Sequence, residues 1–228
     1  MTVARLGIRT RTRTLAERLA DLRHRPALRR LARGKPADYG EYLDVQQRRT
    51  LSKRANDPGA GARVLVGRVV ELGGLSAGSS VLCVGCRNTV ELDLFKGAGI
   101  GDVVGIDLVS QTREIMVMDM HDMEFADDCF DAVYASHSLE HAYDVSTVVS
   151  EIARVGRPGA MIGVEVPLGP GSSDADRVVF RGLDDLRAAV APIVGRERWA
   201  EEQPASSPTN SQGTAVARIV FSLVEGLR

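Results

Sequence analysis

At 228 residues, with 44% hydrophobic and 26% charged residues and ordinary Gly and Pro content, the chain can bury one enzyme-sized core. No apolar run approaches the roughly 18 to 20 residues that span a bilayer, and the N-terminus lacks the apolar stretch and cleavage site of a secretory signal. A soluble, cytoplasmic protein with no membrane partner is therefore expected.

Three cysteines, an odd number, do not make a disulfide framework. The net charge of −1 hides an asymmetry: Met1–Arg54 carries 15 Lys/Arg against 5 Asp/Glu, which leaves 14 against 25 for the rest. Such an arm suits phosphate binding, an anionic partner or a transit peptide, and equally a plain solvated helix.

In chain order, Leu15, Leu19 and Leu22 predict an amphipathic helix over Thr14–Arg23, interrupted by Pro26 and Gly34-Lys35-Pro36. A second helix is predicted over Asp38–Ala55 and a third over Ala62–Leu72, the latter closed by Gly73-Gly74. Residues 1–74 thus read as a helical N-terminal extension or cap, and 75–228 as the main domain. From Ser79 the pattern alternates. Strands are expected at "SVLCVG", "DVVGID", "EIMVMD", "FDAVYAS" and "AMIGVEVP", with helices at "NTVELDLFKGAG" and "DVSTVVSEIARVG". After the helix "LDDLRAAVAP", the runs "VGRERWAEEQ" and "TAVARIVFSLVE" read as a closing antiparallel hairpin. The fold class is α/β, a doubly wound, mostly parallel seven-stranded sheet of Rossmann-like type, with ligands expected beyond the strands' carboxyl ends.

The stretch "VLCVGCRNTVEL" raises a question of its own, because Cys83 and Cys86 form a Cys-x-x-Cys. No second Cys pair or spaced His completes a zinc tetrahedron, and a strand followed by a turn would separate the two thiols. No metal is expected. The other reading is a ligand loop, in which Gly85 lets a cofactor approach the backbone and the next helix aims its N-terminal amides at it. A GxGxxG pattern is absent, since Arg87 and Asn88-Thr89 stand where its later glycines would be. Asp107 ends the second strand about 20 residues after this turn, where a carboxylate can accept both hydroxyls of an adenosine ribose. Asp119 ends the third and is placed to reach an adenine amino group.

Together with "VVGIDL", "MDMHDMEFADDCFDAVYASHSLEHAYD" and "EIARVGRPGAMIGVEVP", this stretch resembles the class I S-adenosylmethionine-dependent methyltransferases, most closely the type 11 group, over about Ser79–Pro167. The resemblance implies S-adenosyl-L-methionine as cofactor. It places Gly85, Cys86 and Arg87 in the methionine-proximal loop, Asp107 and Leu108 at the ribose, Asp119, Met120 and His121 at the adenine, and Ser136 at the sulfonium end. Two departures stand out. Cys83 replaces the acid of the usual loop, and only "LVSQTRE" joins the second and third strands, too short for a crossover helix. A tight loop is expected there, with the N-terminal helices covering the exposed flank.

Methyl transfer requires mainly alignment of a nucleophile with an activated methyl, and a base only for a protonated acceptor. His137 and His141, within "SHSLEH", are the candidate catalytic residues. Tyr39, Tyr42, Gln46 and Arg49 on the second helix, and the segment "PLGPGSSDADRVVFRG" after the fifth strand, are candidates for acceptor binding. The expected function is methyl transfer to a small-molecule or glycan-type acceptor. The alternatives are an RNA methyltransferase using the basic arm, against which a 4% aromatic content argues, and a non-catalytic cofactor-binding relative. A homodimer remains open.

Overall fold

A computed structural model of the chain describes residues 26–53, 59–110, 112–169, 175–207 and 213–226. The helix expected over Thr14–Arg23 lies outside the described residues. After a helical stretch over residues 26–31 come two longer helices, α1 (Tyr39–Lys53) and α2 (Gly59–Gly73). The sheet region follows with β1 (Ser80–Val84), α3 (Val90–Gly97), β2 (Asp102–Asp107), β3 (Ile115–Val117) and β4 (Phe130–Ser136). After these come α4 (Val145–Val155), β5 (Gly156–Pro167), α5 (Leu183–Val190), β6 (Val194–Gln203) and β7 (Val216–Leu223). The seven strands form one sheet in the order β3-β2-β1-β4-β5-β7-β6, with β7 antiparallel to both β5 and β6. The doubly wound sheet and its closing hairpin therefore stand as the alternation of the sequence implied.

Every residue of β1 is buried, as a central strand covered on both faces requires. Its alternate side chains go to opposite layers. Leu82 and Val84 join Val148, Ile152, Leu186 and Val190 from α4 and α5. Val81 and Cys83 join Leu65, Val69, Leu92 and Phe95 from α2 and α3. A boundary at residue 74 thus cuts α2 from the sheet on which its Leu65 and Val69 are buried.

Helix α4 shows how the sequence sets these elements. Asp144 caps it by accepting from the Ser146 amide at 3.0 Å, and Val148, Val149, Ile152 and Val155 form its buried stripe.

The connection between β2 and β3 is the irregular part of the sheet. Gly105, Ile106 and Asp107 pair in parallel with Ile115, Met116 and Val117, and only residues 108–114 intervene, with no helix among the described ones. The flank left open is covered from the N-terminal side. Leu28, Tyr39, Tyr42 and Leu43 form a separate small core against Leu108 and Tyr143, and Lys35 reaches Asp122 at 3.0 Å.

Candidate active site

Strand register brings the ligand-facing turns together. Val84 pairs with Ile106 on one side and Ala135 on the other, so Gly85, Asp107 and Ser136-His137 emerge at one edge of the sheet. There a cavity enclosing about 570 Å³, part of it open to solvent, is lined by residues of α1, by the end of β2 and by the segments that follow β1, β2, β3 and β4. Of the residues singled out from sequence, Gly85, Arg87, Asp107, Leu108, Asp119, Met120, His137, His141, Tyr42, Gln46 and Arg49 all line it.

Cys86, His121 and Ser136 do not line it. The thiol of Cys86 turns back into the core, its Sγ 3.5 Å from the carbonyl oxygens of both Cys83 and Ile106. It fills the space that Gly105 leaves, where a Cβ would sit 2.5 Å from the sulfur. Burial pushes both Cys83 and Cys86 thiols well above their usual range, so they remain protonated packing groups. Ser136 Oγ donates to Glu165 at 2.9 Å, and Ser138 takes its place on the cavity wall. His121 stands behind Asp119, as described below.

Gly85 has φ +73, and a Cβ there would lie 2.4 Å from Ser138 Oγ. Glycine is therefore required by conformation and by the neighbouring Ser138, which donates to the Val84 carbonyl at 2.8 Å. Asp107 is buried. Its Oδ1 accepts from the Val109 amide at 3.0 Å, and burial pushes its carboxyl up to about 6 against the opposing pull of that bond and of Arg87. Glu91, buried at the start of α3, is likewise pushed up to about 7 by burial. Asp119 differs. Burial alone would raise it, but hydrogen bonds from His121 and Tyr39 more than offset this and hold it below the usual carboxylate range.

His137 has φ +51, in the left-handed region that few non-glycine residues adopt. Its Nε2 lies 3.1 Å from Glu165 Oε1, an ion pair rather than a well-aligned hydrogen bond, and its Nδ1 lies 3.5 Å from Glu140 Oε1. Burial alone would lower its pKa, but the two carboxylates push it up to about 10. With both nitrogens turned to carboxylates, the surroundings favour the imidazolium form of the ring. Glu165 pairs in turn with Arg218, its register partner on β7, and Arg218 reaches Glu201 at 2.7 Å. His141 Nδ1 lies 3.1 Å from Asp176 Oδ1, and the ring's pKa is raised because Asp176 and Glu140 outweigh the effect of burial.

Several participants were missed from sequence. Ser138, Thr50 and Met118 also line the cavity, Glu165 and Arg218 act from behind it, and Tyr39, expected among the acceptor contacts, donates to Asp119 instead. An Arg in an apolar strand, "VARIVF", and a Glu in "GVEVP" are the signals that could have suggested a buried pair.

A family model described as a methyltransferase domain matches residues 82–164. Among curated proteins, the methyltransferase GfsG of Streptomyces halstedii is 32% identical over 141 residues, 51% of this chain and 44% of that protein. The sterol 24-C-methyltransferase erg-4 of Neurospora crassa is 40% identical over 72 residues, 32% of this chain and 18% of that protein. The chain spans less than half the length of these curated relatives. Among solved structures, Burkholderia thailandensis 1,6-didemethyltoxoflavin-N1-methyltransferase aligns with a TM-score of 0.57 at 15% identity, over 97% of this chain and 99% of that one, which is a likeness of fold. With the sheet order and the cavity edge described above, the match over residues 82–164 supports a class I S-adenosylmethionine-dependent methyltransferase domain in this part of the chain.

Proposed function

We propose that the protein transfers a methyl group from S-adenosylmethionine to a small-molecule or glycan-type acceptor. The observation that carries this reading is the placement of Asp107 and Asp119, at the ends of adjacent strands, in the wall of one cavity with Gly85 and Arg87.

The residues present fit the cofactor. Asp107 has one carboxylate oxygen in a backbone bond and suits the ribose hydroxyls. Ile106, Leu108, Met118 and Met120 supply apolar walls for the adenine, and Arg87 supplies a cation for the methionine carboxylate. When bound, the cofactor supplies an electrophilic methyl. The chain's part is to orient the acceptor and exclude water.

We assign His137 to a fixed buried cation rather than a base, because both of its nitrogens face carboxylates. His141 is the remaining candidate for proton acceptance, and Tyr42, Gln46 and Arg49 for acceptor contact. Gln46 is held in place by donating to Ala175 O at 2.8 Å. We further assign residues 26–53 to the cap and place α2 with the sheet domain. The relatives' names support a small acceptor: one acts on sterols, and the Burkholderia structure holds 1,6-didemethyltoxoflavin with S-adenosylhomocysteine. Mass spectrometry of ligands co-purifying with the protein, followed by incubation of acceptor panels with methyl-labelled cofactor, tests the reading.

A further inference from the structure

The Asp119 carboxylate is held from two sides. Oδ1 accepts from the His121 amide at 2.9 Å and meets His121 Nδ1 at 2.7 Å. Since Nε2 of the same ring accepts from the Tyr143 amide at 3.0 Å, the ring proton sits on Nδ1 and is donated to Asp119. Oδ2 accepts from the hydroxyl of Tyr39, 80 residues earlier in the chain, at 2.6 Å. Both partners are closed off from solvent, Tyr39 at 2% exposure and Asp119 at 1%. The tyrosine ring is fixed edge-on against His121 at 5.8 Å and against Tyr143 at 4.9 Å.

An ionised carboxylate offers about four acceptor positions. Three are taken here, and the one that remains is on Oδ2, beside the tyrosine hydroxyl. The terminal carboxylate torsion is intrinsically broad; the His121 bonds hold it from the Oδ1 side, and the Tyr39 bond, the one on Oδ2 itself, sets which lone pair of that oxygen is left for a ligand. We propose that Tyr39 is a positioning residue that aims Asp119 at the amino group of the cofactor's adenine, making α1 a determinant of cofactor selectivity. This rests on the reading that Asp119 meets the adenine. It also accounts for the missing crossover helix: the wall that would have come from between β2 and β3 comes instead from α1, latched through Tyr39.

A carboxylate reads an amino donor and rejects a carbonyl acceptor, so the test compares S-adenosylhomocysteine with its deaminated analogue S-inosylhomocysteine. Calorimetry on the full chain should show the wild type preferring the amino compound by about tenfold or more, the ratio expected for one charge-assisted hydrogen bond. In Tyr39→Phe, binding of the amino compound should weaken by about tenfold and of the inosine compound by less than about threefold, so that the preference collapses. Equal losses for both ligands would reduce Tyr39 to a structural anchor and overturn the proposal. So would a wild type without preference, or a Phe variant that fails to fold by circular dichroism. If neither ligand binds the wild type, the cofactor assignment itself fails and the proposal falls with it.

Discussion

His137 and Glu165 form a buried ion pair, 3.1 Å between Nε2 and Oε1, and Glu165 in turn holds Arg218 from the opposite strand. Each partner's shift sets a limb of the stability profile. His137 is raised from 6.5 to about 10, so its contribution is complete below about 6.5 and is lost as pH rises toward 10. Glu165 is lowered from 4.5 to about 2 by His137 and Arg218 against the effect of burial, so its contribution is complete above about 4.5 and is lost as pH falls toward 2. The thermal midpoint should therefore peak near pH 4.5 to 6.5 with respect to this pair. In His137→Gln the decline between pH 6.5 and 10 should flatten, and an unchanged alkaline limb would assign the slope to other groups.

Arg218 is 1% exposed and its loss would strand a buried carboxylate. Arg218→Met should cost about 3 to 5 kcal/mol in denaturant unfolding. The double variant Arg218→Met with Glu165→Leu should recover most of that loss, because no uncompensated charge remains. Additive losses in the double variant would show that the pair is not coupled.

At Gly85 the constraint is steric as well as conformational. Gly85→Ala places a methyl 2.4 Å from Ser138 Oγ at a positive φ, and should destabilise by about 2 to 4 kcal/mol. In a Ser138→Gly background the penalty should shrink to the backbone strain of about 1 to 2 kcal/mol. An equal penalty in both backgrounds would mean that Ser138 is not the obstacle.

Cys83 and Cys86 should be dispensable for ligand binding. Replacing both with Ala should leave affinity for S-adenosylhomocysteine within about threefold, while Cys83→Ser should lose about 1 to 3 kcal/mol for a buried hydroxyl without a partner. A large loss of affinity in the Ala pair would return Cys86 to the ligand loop.

The sheet was legible because its signals are local: β-branched runs, glycine-proline punctuation and the hairpin from Val194 to Leu223 lie in contiguous sequence. Asp107 and Asp119 were legible because strand ends in this topology meet at one edge. The bond from Tyr39 to Asp119 was not, because the two lie 80 residues apart, and a tyrosine on that helix reads as an acceptor contact instead. The state of His137 was hidden for a related reason. A histidine after a strand suggests a base, and only the register of β4 with β5, pairing Ser136 with Glu165, brings the carboxylate that keeps it protonated.

The account's central claim is that the cavity edged by Asp107 is the cofactor site, and calorimetric titration with S-adenosylhomocysteine across pH tests it most directly. Burial holds the Asp107 carboxyl up to about 6 against Arg87, His141 and the Leu108 and Val109 amides, and Asp107 in turn raises Glu91. Binding of one equivalent in the micromolar range is predicted at pH 7.5, about 7 to 8 kcal/mol. Affinity should fall as pH drops through about 6, since a protonated carboxyl cannot accept both ribose hydroxyls. Asp107→Ala should weaken binding by about 1.5 to 3 kcal/mol and Asp107→Asn should remove the part of the pH dependence centred there, leaving only what Glu91 contributes near 7. No heat and no thermal shift at millimolar ligand, or an affinity indifferent to Asp107, would contradict the account.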